Sequence, residues 1–233
     1  MFASIKRLLG NAEPSVRDDE QVLAAWAKAE GHVFKRVTSR SAQGCVVEAA
    51  AGWRVELGPS QRPYIDGVEL RFRCETGVPN DVQMILLTKV LAQVLETDVF
   101  SRFTNAMQTQ IDTSLPDEMR WLAMHPRVSL SASTILQRRF ALFCNAEAVA
   151  QQWLDNDMLM QLEGAASQWW TDSMMLVLVL NRGMLTLRMP GDSVESAQLR
   201  LVGRFFDAAC RRMKAQAESV APAPARPAVS RQN

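Results

Sequence analysis

The segment Gly58-Pro59-Ser60-Gln61-Arg62-Pro63-Tyr64-Ile65-Asp66-Gly67 holds the side chains whose types and spacing best suit chemistry. Arg62, the single tyrosine Tyr64, and Asp66 alternate there, and the prolines limit the freedom of the loop. A guanidinium beside a phenol and a carboxylate suits recognition of an anion or a peptide. Its paired N–H donors match planar oxyanions, and the ring supplies an anchor. A ligand-binding cleft near Arg62, Tyr64 and Asp66 is therefore one expectation. The preferred competitor is a proline-stiffened connection, with Tyr64 as a lid on the core and Asp66-Gly67 as a turn.

A second candidate surface is apolar. Trp121, Trp153, Trp169 and Trp170 all fall on predicted helices, where aromatic residues at helical spacing are mostly packing residues. On one helix, however, the neighbours Trp169 and Trp170 face different ways, so one is expected at the surface. With Met158, Leu159, Met160 and Leu162 close in sequence, it would form a patch of the kind that protein interfaces use. Met158, Met160, Trp169 and Trp170 are the expected interface residues, for a protein partner or a second copy of the chain.

Other chemistries lack their motifs. The two histidines, His32 and His125, are far apart, and neither has an H-x-x-x-H or C-x-x-C companion. No phosphate-binding loop and no G-x-S-x-G nucleophile elbow occurs. No catalytic residue, metal site or cofactor is assigned. Cys45, Cys74, Cys144 and Cys210 are scattered, and all four are expected to be reduced and structural, since free cysteine behaves as a small hydrophobe.

Charge and hydropathy narrow the partners. The 26 basic and 25 acidic residues nearly cancel, whereas nucleic-acid binders draw most of their affinity from a basic excess. No nucleic-acid partner is expected. The longest apolar run, Met174 to Leu180, falls far short of the ~20 residues that a spanning helix needs, and the start shows no signal-peptide pattern. A cytoplasmic location follows as the expectation. Phe2, Ile5, Leu8 and Leu9 share a helix face beside Lys6 and Arg7. Docking on the body of the protein is preferred for this helix, and weak contact with a membrane surface stays open.

The elements that must position these residues read as α+β. A helix capped by Asp18 or Asp19 is expected to about Ala29, then strands at 32–37, 44–49, Trp53 to Leu57 and Val68 to Glu75. In the last two, apolar residues alternate with Arg54, Glu56, Glu69, Arg71 and Arg73, the pattern of an antiparallel sheet with one buried and one wet face. Pairing of Arg54 and Glu56 against Glu69 and Arg71 would favour register. Apolar spacing from Val82 to Ile111 predicts a long helix, and a short one follows from Asp117 to Met124. Leu136 to Asn145 reads as a strand, after which Asn145 caps a helix holding Val149, Trp153 and Leu154. A further helix reaches Trp169 or Trp170. Met174 to Leu180 and Met184 to Met189 form a hairpin whose first strand is apolar on both faces. Ser193 is expected to cap a final amphipathic helix reaching about Ala217.

The stretch from Arg138 to Pro190 runs R-R-F-A-L-F-C-N, then a capped helix with Trp153-Leu154, then a hairpin ending N-R-G-M-L-T-L-R-M-P. It resembles bacterial families classed as domains of unknown function, over about a quarter of the chain. The resemblance implies a strand–helix–hairpin fold and no activity or site residue.

The expected organisation is an N-terminal helix and loop over 1–17, a first α+β half over 18–115, a second over 116–218, and a disordered proline- and alanine-rich tail over 219–233. The halves resemble each other at Gly67-Val-Glu-Leu-Arg-Phe-Arg and Gly183-Met-Leu-Thr-Leu-Arg-Met, each expected to lead through a short loop into a helix. The fold class is α+β, an antiparallel sheet packed against long helices; two similar halves are an alternative to a chance likeness of common strand–loop–helix units. The functional expectation is a non-enzymatic interaction or assembly module. Its alternatives are an enzyme or small-molecule or anion binder at the Arg62 loop, and a peripheral membrane adaptor through the first helix.

Overall fold

A computed structural model describes residues 16–38, 43–105 and 116–220. The expected N-terminal helix, most of the 219–233 tail and the end of the Val82 to Ile111 helix lie outside the described residues. The elements are α1 (Val16–Ala29), β1 (Val33–Thr38), β2 (Gln43–Glu48), β3 (Trp53–Pro59), β4 (Val68–Glu75), β5 (Met84–Thr88), α2 (Lys89–Asn105) and α3 (Asp117–Met124). They continue with α4 (Thr134–Arg139), β6 (Phe140–Cys144), α5 (Glu147–Trp153), α6 (Asn156–Gln168), β7 (Val177–Asn181), β8 (Met184–Pro190) and α7 (Ser196–Val220). All eight strands join one antiparallel sheet in the order β1-β2-β3-β4-β8-β7-β5-β6. The α+β class with an antiparallel sheet and long helices is thus observed.

The alternating strands place their apolar side chains as the sequence pattern requires. Leu70, Phe72 and Cys74 of β4 and Leu185, Leu187 and Met189 of β8 point into one large core with α1, α5, α6 and α7. On the opposite sheet face, Ile85, Leu87, Phe143, Val177 and Val179 form a smaller core with α2 and α3. Strand β7 is therefore apolar on both faces because both are covered. The short turn of its hairpin to β8, Arg182-Gly183, places both residues at positive φ, 50° and 71°, as the right-handed twist of paired strands favours.

Three local expectations are corrected. Residues 84–88 are strand rather than the start of a long helix, so helix α2 begins only at Lys89. The run Met84-Ile85-Leu86-Leu87 fits either period, and its place between β6 and β7 decides the matter: Met84 and Leu86 enter one core while Ile85 and Leu87 enter the other. As a result β4 leads into a strand, whereas its counterpart β8 leads into helix α7. Second, the first half of the expected strand over Leu136 to Asn145 is helix α4, whose N-cap Ser133 accepts from the Leu136 amide.

Third, the expected caps have other work. Asn145 accepts from Gln83 N at 2.8 Å and donates to Asp81 O at 2.8 Å, tying α5 to the entry of β5. Asp19 lies inside α1 and accepts from the Val194 amide at 2.8 Å, anchoring the turn before α7. Ser193 takes a positive φ of 57° in that turn, and α7 starts three residues later.

Candidate functional site

The connection from β3 to β4 folds back over the charged sheet face. Ser60 N donates to Gly67 O at 2.9 Å and Ile65 N to Arg62 O at 3.2 Å, so the loop is bonded to itself. Ile65 is buried and Tyr64 packs on the smaller core. Arg62 and Tyr64 do converge, and they converge on Glu118 of α3. Arg62 Nε donates to Glu118 Oε1, and Tyr64 OH donates to the same oxygen at 2.9 Å. Burial pushes the Tyr64 phenol well above its ordinary value, and the Glu118 carboxylate adds to the shift, so the phenol stays protonated. Burial opposes the Arg62 charge, but Glu118 outweighs it and the guanidinium is held above its ordinary value. Asp66 is exposed, has no partner among the described residues, and precedes Gly67 at φ 65°.

A second layer lies beneath the loop. Glu69, fully buried, accepts from the Gln61 amide at 2.9 Å and pairs with Arg188 at 2.5 Å and Arg71 at 3.6 Å. Arg71 also reaches Glu56 at 3.3 Å and Pro59 O at 3.1 Å. The register sets Glu56 opposite Arg71 as expected, but places Arg54 opposite Arg73 and Glu69 opposite Gly58. The face expected to be wet is thus roofed where the loop crosses it. Arg62 Nε and Nη1 and the Tyr64 hydroxyl are bonded within the protein, so this arrangement holds the loop to α3.

Of the expected interface residues, Met160 is 61% exposed while Met158 and Trp170 are buried. Trp169 is half-buried. The expectation that one tryptophan must turn outward assumed that both lie on a helix, but α6 stops at Gln168. Beyond it the two rings stack at 5.8 Å and meet Phe205 edge-on.

Concave surface lies along the outer side of α7. A groove of about 560 Å³ is bounded by Trp26, His32 and Trp53 on one side and by Arg200, Arg204 and Asp207 of α7 on the other. A neighbouring hollow of about 350 Å³ is lined by Asp155, Asp157, Met160 and Arg212. The two share Gln161, Ala208 and Arg211 and so form one continuous depression.

Local structure explains its shape. Gly31, at φ 73°, turns the chain out of α1, and the His32 amide closes the helix end on Ala27 O at 2.7 Å. His32 then meets Trp26 and Trp53 edge-on at 5.3 and 5.2 Å. Gly203 lets Trp26 lie against α7, because a Cβ there would sit 3.1 Å from the ring. Trp53 Nε1 donates to Asp207 at 2.9 Å, which also pairs with Arg211 at 3.0 Å. Arg200 pairs with Glu30 at 3.1 Å. Arg204, exposed on the same helix face, has no partner among the described residues.

This groove was not singled out by sequence reasoning. The signal was the spacing Arg200, Arg204, Asp207, Arg211 along one face of an amphipathic helix, but nothing in the chain order ties that face to Trp26 and Trp53. None of the concavities described here is lined by Arg62, Tyr64 or Asp66. Among the described residues, no group of three or more His, Cys, Asp or Glu is placed to hold a metal ion. His125 caps α3, stacks on Trp121 and bonds Gln83, and burial lowers its pKa.

Fold and site together describe an α+β protein with one antiparallel sheet and a polar groove along its last helix. No helix among the described residues is long and apolar enough to cross a membrane. No family model matches the chain, and no curated protein matches it. Among solved structures, the chain is similar to the mycobacterial trehalose monomycolate transport factor A, TtfA. The identity is 12%, the match covers 89% of this chain and 99% of that one, and the TM-score is 0.47. A likeness at that level carries no ligand or partner across.

Proposed function

We propose that the protein is a non-catalytic interaction module that receives a segment of a partner protein along the outer face of α7. The observation that carries this reading is the continuity of the groove from Trp53 and His32, past Arg204, to the exposed Met160. Such a surface suits a segment with an apolar side chain for Met160 and a carboxylate for Arg204, since a guanidinium without a partner among the described residues can make a charge-assisted bond. The contrast with Arg62 supports the choice, because that guanidinium is already bonded to Glu118.

Photo-crosslinking from positions 160 and 204 in the producing cell tests the reading. The expected result is the same partner captured from both positions, with capture from position 160 lost in Arg204→Glu. Capture that is unchanged in Arg204→Glu, or a chain that stays a lone monomer and captures nothing, would refute it.

A further inference from the structure

Beyond the groove, the core between β4 and α7 brings two nucleophilic side chains together. The rings of Phe72 and Phe206 meet with centroids 5.6 Å apart. Two residues along a strand advance about 6.6 Å and four along a helix about 6 Å. Strand and helix therefore stay in step, and the next facing pair is Cys74 and Cys210. The registration holds further on, where a Cβ on Gly77 would lie 3.5 Å from that of Ala217. Small residues allow α7 to approach β4 closely here, as the Gly77–Ala217 spacing shows, and a disulfide needs Cβ atoms about 3.5–4.5 Å apart.

Both cysteines are free and buried in the same core, and each thiol acts on the ionisation of the other. Lys214, one turn beyond Cys210, donates to Ala51 O at 3.5 Å, and its charge acts on both sulfurs. The Cys210 hydrogen bond, followed by the Lys214 ammonium, lowers the Cys74 pKa to about 7 against the opposing effect of burial. Burial drives the Cys210 thiol upward and keeps it protonated. A hollow of about 520 Å³ lined by Trp53, Glu75, Met184 and Lys214 opens beside Cys74, since Trp53 is its cross-strand partner and Glu75 its neighbour. Cys74 itself is buried and does not line the hollow, so an oxidant reaches the sulfur from there through local opening of the strand end.

We propose that Cys74 and Cys210 form a redox-responsive modification site, which a hydroperoxide closes to a disulfide that staples α7 to the central strand β4. The Cys74 thiolate attacks one peroxide oxygen, the O–O bond breaks, and Cys74 becomes a sulfenic acid as the departing hydroxide takes up a proton. The Cys210 sulfur then attacks the Cys74 sulfur. The S–S bond forms, the S–O bond breaks, and the hydroxyl leaves as water with the Cys210 proton. Two thiols lose two electrons, and hydrogen peroxide becomes two waters. Cys45 and Cys144 have no such partner: burial raises both thiols, and they remain spectators.

The test treats the reduced full-length protein with hydrogen peroxide and reads intact mass and peptide maps. The expected product has lost two hydrogens, contains a Cys74–Cys210 linked peptide, and reverts with dithiothreitol. In Lys214→Ala the rate of closure should fall several-fold, because less of the Cys74 sulfur is thiolate at neutral pH. Addition of oxygen without linkage, links through Cys45 or Cys144, or no reaction would each overturn the proposal. The readout is internal to the chain, so it stands or falls separately from the α7 groove.

Discussion

Replacing Glu118 with alanine removes one carboxylate that two loop residues share. Glu118 is buried at 3% exposure, and its Oε1 accepts from both Arg62 and Tyr64. Breaking a buried ion pair from one side costs about 3–5 kcal/mol, because the remaining charge is left without compensation. A buried hydroxyl that loses its acceptor adds about 1–3 kcal/mol. These costs do not sum here, since Arg62 keeps 22% side-chain exposure and can recover some hydration. The expected loss is about 3 kcal/mol, a large fraction of the stability of an ordinary domain.

Urea unfolding followed by tryptophan fluorescence measures it, with a lower midpoint and an unchanged slope as the expected signature. Glu118→Gln keeps an acceptor for Tyr64 and should lose less, about 1–2 kcal/mol. The double variant with Arg62→Ala should be clearly less destabilised than the sum of the singles. A loss below about 0.5 kcal/mol in Glu118→Ala, or strict additivity with Arg62→Ala, would refute the argument that this carboxylate staples the loop to α3.

Gly44→Ala should lose about 1–3 kcal/mol on thermal or urea unfolding, because a Cβ at that position would lie 2.5 Å from the Leu57 carbonyl oxygen and two strands must part. Trp53→Phe should lose about 1–2 kcal/mol and free Asp207, which a double-mutant cycle with Asp207→Asn detects as coupling. The rate of Cys74 alkylation should rise with a midpoint near pH 7, shifting upward in Cys210→Ala. Because the folded value of Cys74 lies below that of an unfolded thiol, its contribution to stability is present above the unfolded value and is lost as pH falls through about 7. His125 should titrate by NMR below the ordinary histidine range. Its depressed value means that folding resists protonation there, so its contribution is present above the unfolded pKa and declines as pH falls through the folded one.

Much of the fold was legible where one rule dominated. The alternation in Trp53 to Leu57 and Val68 to Glu75 marked β3, β4 and their buried faces, since a period of two has no helical reading. The continuous apolarity of Val177 to Leu180 foretold a strand covered on both sides. Met84 to Leu87 defeated the same reasoning, because four successive apolar residues fit a buried helix as well as a buried strand. Only their neighbours Phe143 and Val179 decide between the two. Trp169 and Trp170 failed for a related reason: the helix ends at Gln168, two residues short of Trp170, so helical facing does not apply.

The loop from Gly58 to Gly67 shows the same division. Chain order alone determined that it links two strands and holds a glycine where φ is positive, at Gly67, but its hydrogen-bonded turn runs from Arg62 to Ile65 rather than at the expected Asp66-Gly67. It could not determine where the Arg62 guanidinium goes. That depends on Glu118, far along the chain, and a charge finds its partner through space. The α7 groove and the Cys74–Cys210 contact are of the same kind. Each needs side chains from distant segments, and only the packing of helix on sheet brings them together.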